Sequence, residues 1–327
     1  MKKSRIELPQ PAQFSMGNLF KENFFKVPMY QRNYAWGSQQ IDEFVSDLSD
    51  LVDDSKGSHF FGQLVTFKGH DERQEIIDGQ QRLTTSLIFF TVLKDIAQFI
   101  IEKAFSGADI VKISNSDSFL ELHSLIKEIK DIIGVDNDTA LIIQSGKING
   151  VDLEEYFLSL TTDVSKAELY YKEHQRVKPI ENMHSSYVKM KAAVIAKLNK
   201  YKNWNDRINK LQTIFESFTN GFYLVMISTL NSKEAFTIFE TLNSRGLDLA
   251  ASDIIKNHLM SIISSGNDAT ELAEVNESWN NISVKLDNDS KSLTKFIRTY
   301  WSASNKVVSE AKLYRAISQK VSKKRSS

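Results

Sequence analysis

Apolar positions along the chain fall into two regimes. Between residues 38 and 52, Ile41, Phe44, Val45, Leu48, Leu51 and Val52 recur at the three-and-four spacing of an amphipathic helix, which Ser38 is placed to cap. Phe24 to Val27 is a short extended stretch running into Pro28. His59 to Phe67 and Arg73 to Ile77 are rich in aromatic and β-branched residues, and Lys68-Gly69-His70-Asp71 lies between them, the pattern of two strands and a turn. From Gln80 to about Phe105 the apolar residues go almost all round the helical period, which predicts a helix packed on several sides. Further helices are predicted near 118–132, 151–160, 180–200 and 205–219, then a buried strand over 221–227. A helix over 232–242, a break at Ser244-Arg245-Gly246 and a helix over 252–263 follow, with helices continuing to the end. With only 13 Gly and 4 Pro to punctuate it, the chain reads as a helix-rich α+β protein with a small sheet core.

Composition then narrows the classes of function. Hydrophobic residues at 41% and charged residues at 25% place the chain among globular proteins, and 327 residues allow about two structural units. No cysteine occurs, which excludes disulfides, thiolate-bound zinc, iron–sulfur clusters and thiol catalysis. No run of apolar residues reaches the length of a membrane span, and the basic N-terminus lacks the apolar segment of a secretory signal, so a cytoplasmic protein is expected. Lys+Arg and Asp+Glu are both 41, yet the charge is segregated: residues 171–215 carry ten basic groups against three acidic ones. A neutral chain patterned in this way can still present a basic surface to a polyanion.

Three clusters could carry chemistry. The first is Ile76-Ile77-Asp78-Gly79-Gln80-Gln81-Arg82-Leu83-Thr84-Thr85, where a strand ends in Asp-Gly and enters the long buried helix. Free amides and the positive end of the helix dipole favour an anion there. Arg82 and the hydroxyls of Thr84 and Thr85 add donors, and Asp78 suits a Mg²⁺ ion bridging phosphates. An ordinary turn, with Asp78 as N-cap and Arg82 in solvent, satisfies the same spacing. The second cluster is the loop Val27 to Gly37, in which Tyr30, Tyr34 and Trp36 alternate with Gln31 and Arg32. These are the ingredients of a stacking surface with hydrogen-bonding tips, or of a loop clamped onto a core by its aromatics. The third runs from Phe236 to Asn257, where Gly246 offers a break that would present Asn243 and Arg245 together, and Asp253, Lys256 and Asn257 fall about one turn apart. Neither a P-loop nor a Rossmann glycine pattern occurs, and the six histidines form no ligand-spaced pair and no HNH nuclease context.

Taken together and in this order, the clusters resemble the N-terminal domain of GmrSD-type (SspE-like) restriction proteins. The resemblance rests on Val27-Pro28, Tyr30-Gln31-Arg32, Tyr34 and Trp36; on Phe60-Phe61-Gly62; on Ile76 through Thr85; and on Phe239, Leu242 to Gly246, Asp253 and Asn257. It covers about residues 15–260 and implies a ParB/sulfiredoxin-like fold, a small mixed sheet core with extensive helical additions. The core is then expected over about 15–105 and 221–257, a helical insertion over about 106–220, and the start of a C-terminal helical domain over 261–327.

Membership would imply a defence function in which the domain senses modified DNA, binds or hydrolyses a nucleoside triphosphate, GTP favoured, with Mg²⁺, and controls an HNH nuclease. Carried onto this chain, Asp78, Gln80, Gln81 and Arg82 become the catalytic motif, with Asp78 as metal ligand and Gln80 or Gln81 orienting water. Gly79, Thr84, Thr85, Asn243 and Arg245 become nucleotide ligands, and Tyr30, Gln31, Arg32, Tyr34 and Trp36 sense DNA. The chain carries no HNH-type histidine, so cleavage is expected from a domain or subunit outside it, and oligomerisation remains open. The missing cysteine separates it from the redox chemistry of its fold relatives. The alternative reading is a non-catalytic DNA-binding module that recognises modified DNA without hydrolysis; a scaffold acting through protein partners is a third.

Overall fold

A computed structural model describes residues 10–29, 31–53, 57–69, 71–104, 117–134, 139–143, 147–148, 150–243, 251–264, 269–286 and 289–325. The chain opens with β1 (Ala12–Ser15) and α1 (Met16–Glu22), and Ser15 caps the helix by accepting from the Asn18 amide. β2 (Phe25–Val27) leads through an irregular segment to α2 (Ser38–Asp53). β3 (His59–Lys68) and β4 (Gln74–Asp78) follow, and Gly79 turns the chain into α3 (Gln80–Ala104). The next part is mostly helical, with α4 (Asp117–Ile133), β5 (Leu141–Ile143) and a minimal hairpin of β6 (Lys147–Ile148) and β7 (Val151–Asp152). It continues with α5 (Leu153–Thr162), α6 (Val164–His174), α7 (Lys178–Leu198) and α8 (Trp204–Glu216). A π-helical turn, Ser217–Gly221, delivers the chain to β8 (Phe222–Thr229). The C-terminal part comprises α9 (Ser232–Asn243), α10 (Ala251–Ser264), α11 (Ala269–Lys285), α12 (Ser290–Ser304) and α13 (Glu310–Arg325).

Six strands form one mixed sheet in the order β1-β8-β3-β4-β2-β5. The long central pair β3·β8 is parallel, whereas β3·β4 is a local antiparallel hairpin and β2 joins β4 and β5 in parallel. Strands more than 150 residues apart therefore sit side by side, and the helical insertion must leave and return between them. β2 reaches only Val27, so its pairing with β4 ends at Lys26–Glu75. Pro28 lacks an N–H and cannot prolong the ladder.

Packed against the sheet is α3, buried over most of its circumference. By length and composition it is able to cross a membrane, but 78% of its most apolar window is buried within the fold, as in a core helix. An aromatic cluster fixes its position: Phe89 and Phe90 lie 4.9 and 5.0 Å from Phe218 on the π-helical turn, and Phe44 of α2 packs on Phe89 at 5.3 Å. These are edge-to-face contacts, the favoured geometry for aromatic pairs. A smaller cluster, with Val65 and Ile77 of the sheet against Ala235, Phe239 and Met260, attaches α9 and α10. On its other side α10 places Ile255 against Leu313 and Ile317 of α13, so this helix joins the sheet to the C-terminal helices.

The helix-rich α+β expectation holds, and the principal elements lie where periodicity places them. Periodicity missed α6, because its only buried residue is Ala167, and it missed the short strands β1, β5, β6 and β7, which are too brief to show a period. The break expected at Ser244-Arg245-Gly246 lies outside the described residues, as does His70. Phe44 touches α3, β8 and the π-helical turn at once, so Phe44→Ala should cost about 3–5 kcal/mol, read as a lower midpoint in urea unfolding with little change in slope.

Candidate functional site

The segment after β2 has no regular structure, so its backbone groups need partners from elsewhere. Gln80 and Gln81 provide them, and Gln31 of the loop reaches β4 in turn. Gln31, 7% exposed, donates from Nε2 to the carbonyls of Ile76 and Ile77 at 3.2 and 2.9 Å, meeting β4 beyond the point where β2 stops. Gln81 uses both ends of its amide: Oε1 accepts from the Ala35 and Trp36 amides at 2.8 and 3.3 Å, and Nε2 donates to the Asn33 carbonyl at 3.2 Å. Gln80 donates from Nε2 to the Arg32 carbonyl, while its Oε1 is buried with no hydrogen-bond partner. The loop of the second cluster is thereby stapled to the strand–turn–helix of the first.

At the turn itself, Gly79 has φ +104°, and a Cβ there would come within 2.7 Å of Leu64 Cδ1, so glycine is required for both backbone and space. Gly62 on β3, φ +114°, leaves room for the Arg82 guanidinium, which lies 3.3 Å from where its Cβ would be. Arg82 donates from Nη2 to the Gln63 carbonyl and pairs with Asp78 Oδ2 at 3.2 Å. Its Nε is buried without a partner. The first turn of α3 carries no acidic residue, and, as in any helix, its first amides have no carbonyl one turn back to bond.

From the third cluster α9 and α10 close the cavity. Phe239, Asp253 and Lys256 line a space of about 90 Å³ together with Gln31, Arg32, Trp36 and residues 77–82. Asp253 stands 3.8 Å from Arg32 Nη1, with its Oδ2 buried and not hydrogen-bonded. Burial pushes the Asp253 carboxyl above its ordinary value, partly offset by Arg32 and Lys256. Lys256 is 5% exposed, and burial lowers its ammonium to about 8 while Asp253 pulls the other way. Three cations and two carboxylates thus face one small cavity, an arrangement that favours an anionic occupant.

Sequence candidates divide cleanly. Asp78, Gly79, Gln80, Gln81, Arg82, Gln31, Arg32 and Trp36 line this cavity. Tyr34 and Thr85 do not: the Tyr34 hydroxyl is buried between Thr85 Oγ1 at 2.8 Å and Ser186 Oγ at 3.2 Å, and burial raises its pKa to about 12. They pin the loop to α3 and α7. Thr84 faces a narrow space beneath the loop with Tyr34 and Met183. Tyr30 and Arg245 lie outside the described residues, and so does the side chain of Asn243. Asp253 and Lys256 were visible in the sequence only as charges one turn apart; what brings them to the site is the packing of α10. Among the described residues no group of three or more His, Asp or Glu converges as a metal cage.

Gln81→Ala should free the loop while leaving the helix intact. The Ala35 and Trp36 amides are expected to lose protection in hydrogen exchange, with stability falling by about 1–3 kcal/mol; unchanged protection of those two amides would mean that the staple holds nothing.

Residues 16–260 match the family model of the GmrSD restriction endonuclease N-terminal domain, three quarters of the chain and all three clusters of the site. No curated protein matches the chain significantly. With that match spanning the strand–turn–helix, the stapled loop and α10, the chain belongs to the GmrSD restriction endonuclease N-terminal domain family, a component of type IV restriction systems, whose role implies a DNA target.

Proposed function

We propose that this domain binds a nucleoside triphosphate, GTP favoured, in the cavity between the Asp78–Arg82 turn, the 31–37 loop and α10. It hydrolyses the nucleotide there as part of sensing modified DNA, and so controls an HNH nuclease carried by another domain or subunit. The observation that carries this reading is the convergence of Arg32, Arg82 and Lys256 with the open N-terminus of α3 on one small polar cavity. Helix amides and guanidinium groups hold phosphate oxygens by charge-assisted hydrogen bonds, and such groups stabilise charge as it develops in phosphoryl transfer.

The two glutamines take different roles. Gln81 has its carbonyl oxygen occupied twice by the loop and serves positioning, whereas the free Oε1 of Gln80 is the acceptor suited to orienting a water. The donor set also fits a Mg²⁺ ion, since that ion takes one or two carboxylates and otherwise phosphates and water. Asp78, in the cavity lining, would hold the ion. When bound, Mg²⁺ would neutralise phosphate charge. On the rim, Trp36 and Arg32 are the groups of the loop best placed to meet DNA, and the loop's attachment through Gln80 and Gln81 would let occupancy of the cavity reach that surface.

Purified protein with Mg²⁺ and GTP, ATP or CTP should release phosphate, and Asp78→Ala should reduce the rate by roughly 10²–10³-fold. A wild-type rate no higher than that of the variant overturns hydrolysis. DNA affinity that falls steeply with salt and is indifferent to nucleotide would then assign the domain to non-catalytic DNA recognition.

A further inference from the structure

A second cavity, about 230 Å³, adjoins the first and shares three of its lining residues, Arg32, Asp253 and Lys256. It opens between the start of α7 and the α11–α12 region, with Arg176, Lys178 and Asn182 on one wall and Trp279, Asn280 and Ser290 on the other. Lys256 stands at the junction. Its ammonium carries three donors, yet the hydrogen bond it makes is a long one, 3.4 Å to Asn280 Oδ1. Its nearest carboxylate, on Asp253, leaves Oδ2 without a hydrogen bond, and Arg32 stays 3.8 Å away. A buried cation with donors to spare beside a loosely held ion pair lacks acceptors, and an anion supplies them.

The walls point the same way. Across both chambers the described lining residues include five cations, Arg32, Arg82, Arg176, Lys178 and Lys256, against two carboxylates, Asp78 and Asp253, with Lys178 paired to Glu181 at 2.9 Å. A single phosphate would occupy the Gly79–Arg82 end alone. Only an extended phosphate chain meets that end and the second chamber together.

We propose that the two cavities form one site for an extended phosphate chain, with Lys256 the ligand common to both chambers and Arg176 a ligand of the second. This deepens the nucleotide reading by making the length of the phosphate chain, rather than the base, the feature selected. Triphosphates should bind far better than monophosphates because only they extend from the first chamber, which Arg82 and Lys256 line, to Arg176 in the second.

Among the described residues, the charged groups facing Lys256 are Asp253 on its own helix, Arg32 on the loop, Asp78 and Arg82 across the first chamber, and Arg176 and Lys178, the latter paired with Glu181, across the second; α11 and α12 present the neutral Asn280 and Ser290. With its ammonium lowered to about 8 by burial, Lys256 is charged below that pH and loses its proton above it. Bound phosphate favours the charged form. Triphosphate affinity should therefore hold steady up to about pH 8 and fall above it.

Calorimetric titrations of the full chain with GTP, GMP and inorganic tripolyphosphate test the assignment. Lys256→Met should weaken triphosphate binding roughly 10–100-fold and GMP binding as well, since Lys256 lines both chambers. Lys256→Arg should restore binding and abolish the fall above pH 8, which a merely structural lysine would not do. Arg176→Ala, an exposed position that leaves the core untouched, should weaken triphosphate binding by about 3–10-fold and spare GMP. GTP binding that neither Lys256→Met nor Arg176→Ala alters overturns the two-chamber site while leaving the nucleotide reading intact. Binding of tripolyphosphate but not GTP, sensitive to both substitutions, supports the site and overturns the nucleotide; binding of neither overturns both.

Discussion

The structure turns on the need to satisfy the backbone of an irregular loop placed against the end of a sheet. Proline stops β2 at Val27, leaving β4 carbonyls exposed to the core and a ten-residue connection without a ladder of its own. Gln31, Gln80 and Gln81 resolve both needs with side-chain amides, which offer a donor and an acceptor at once and carry no charge to bury. Because two of these glutamines belong to the first turn of α3, the loop and the start of that helix are one mechanical unit. Movement of either is felt by the other.

That unit sits on a rigid base. Phe44, Phe89, Phe90, Phe218 and Phe222 interlock around the middle of α3, so the N-terminal turn of the helix projects from a packed core toward the cavity. On the opposite wall α10 is less deeply anchored: one face meets the sheet through Met260 and the other meets the C-terminal helices through Ile255. The polar residues Asp253 and Lys256 lie on the same helix, which makes α10 the element through which a change in the cavity's charge would reach the C-terminal helices. Among the described residues, the Arg32–Asp253 approach at 3.8 Å is where loop and α10 meet by charge.

Much of this was legible in the chain. The strand–turn–helix around Asp78-Gly79 could be read because Gly79 interrupts a switch from strand to helical periodicity, and Gly79 indeed holds a positive φ. The heptad-like face of α2 named Ile41, Phe44, Leu48 and Leu51 as core. Aromatic spacing in the loop was less informative, since Tyr34 and Trp36 look alike in sequence. One is buried with its hydroxyl spent on Thr85 and Ser186, and the other lines the cavity. Their difference depends on α7, which lies 150 residues away and carries no local mark of its role.

The sequence by itself determined the principal helices and strands, that the chain would be helix-rich around a small sheet, and that thiol chemistry is absent, because periodicity and residue type act locally. Its three motifs also marked the family. Tertiary structure alone decided what those motifs do for one another: that Gln81 serves the loop, that Gln80 keeps a free oxygen, and that Lys256 is buried between two cavities. Each of these depends on which distant group supplies the missing hydrogen bond or removes the water. That is settled by the parallel pairing of β3 with β8 and the return of α10 to the sheet, not by neighbours in the chain.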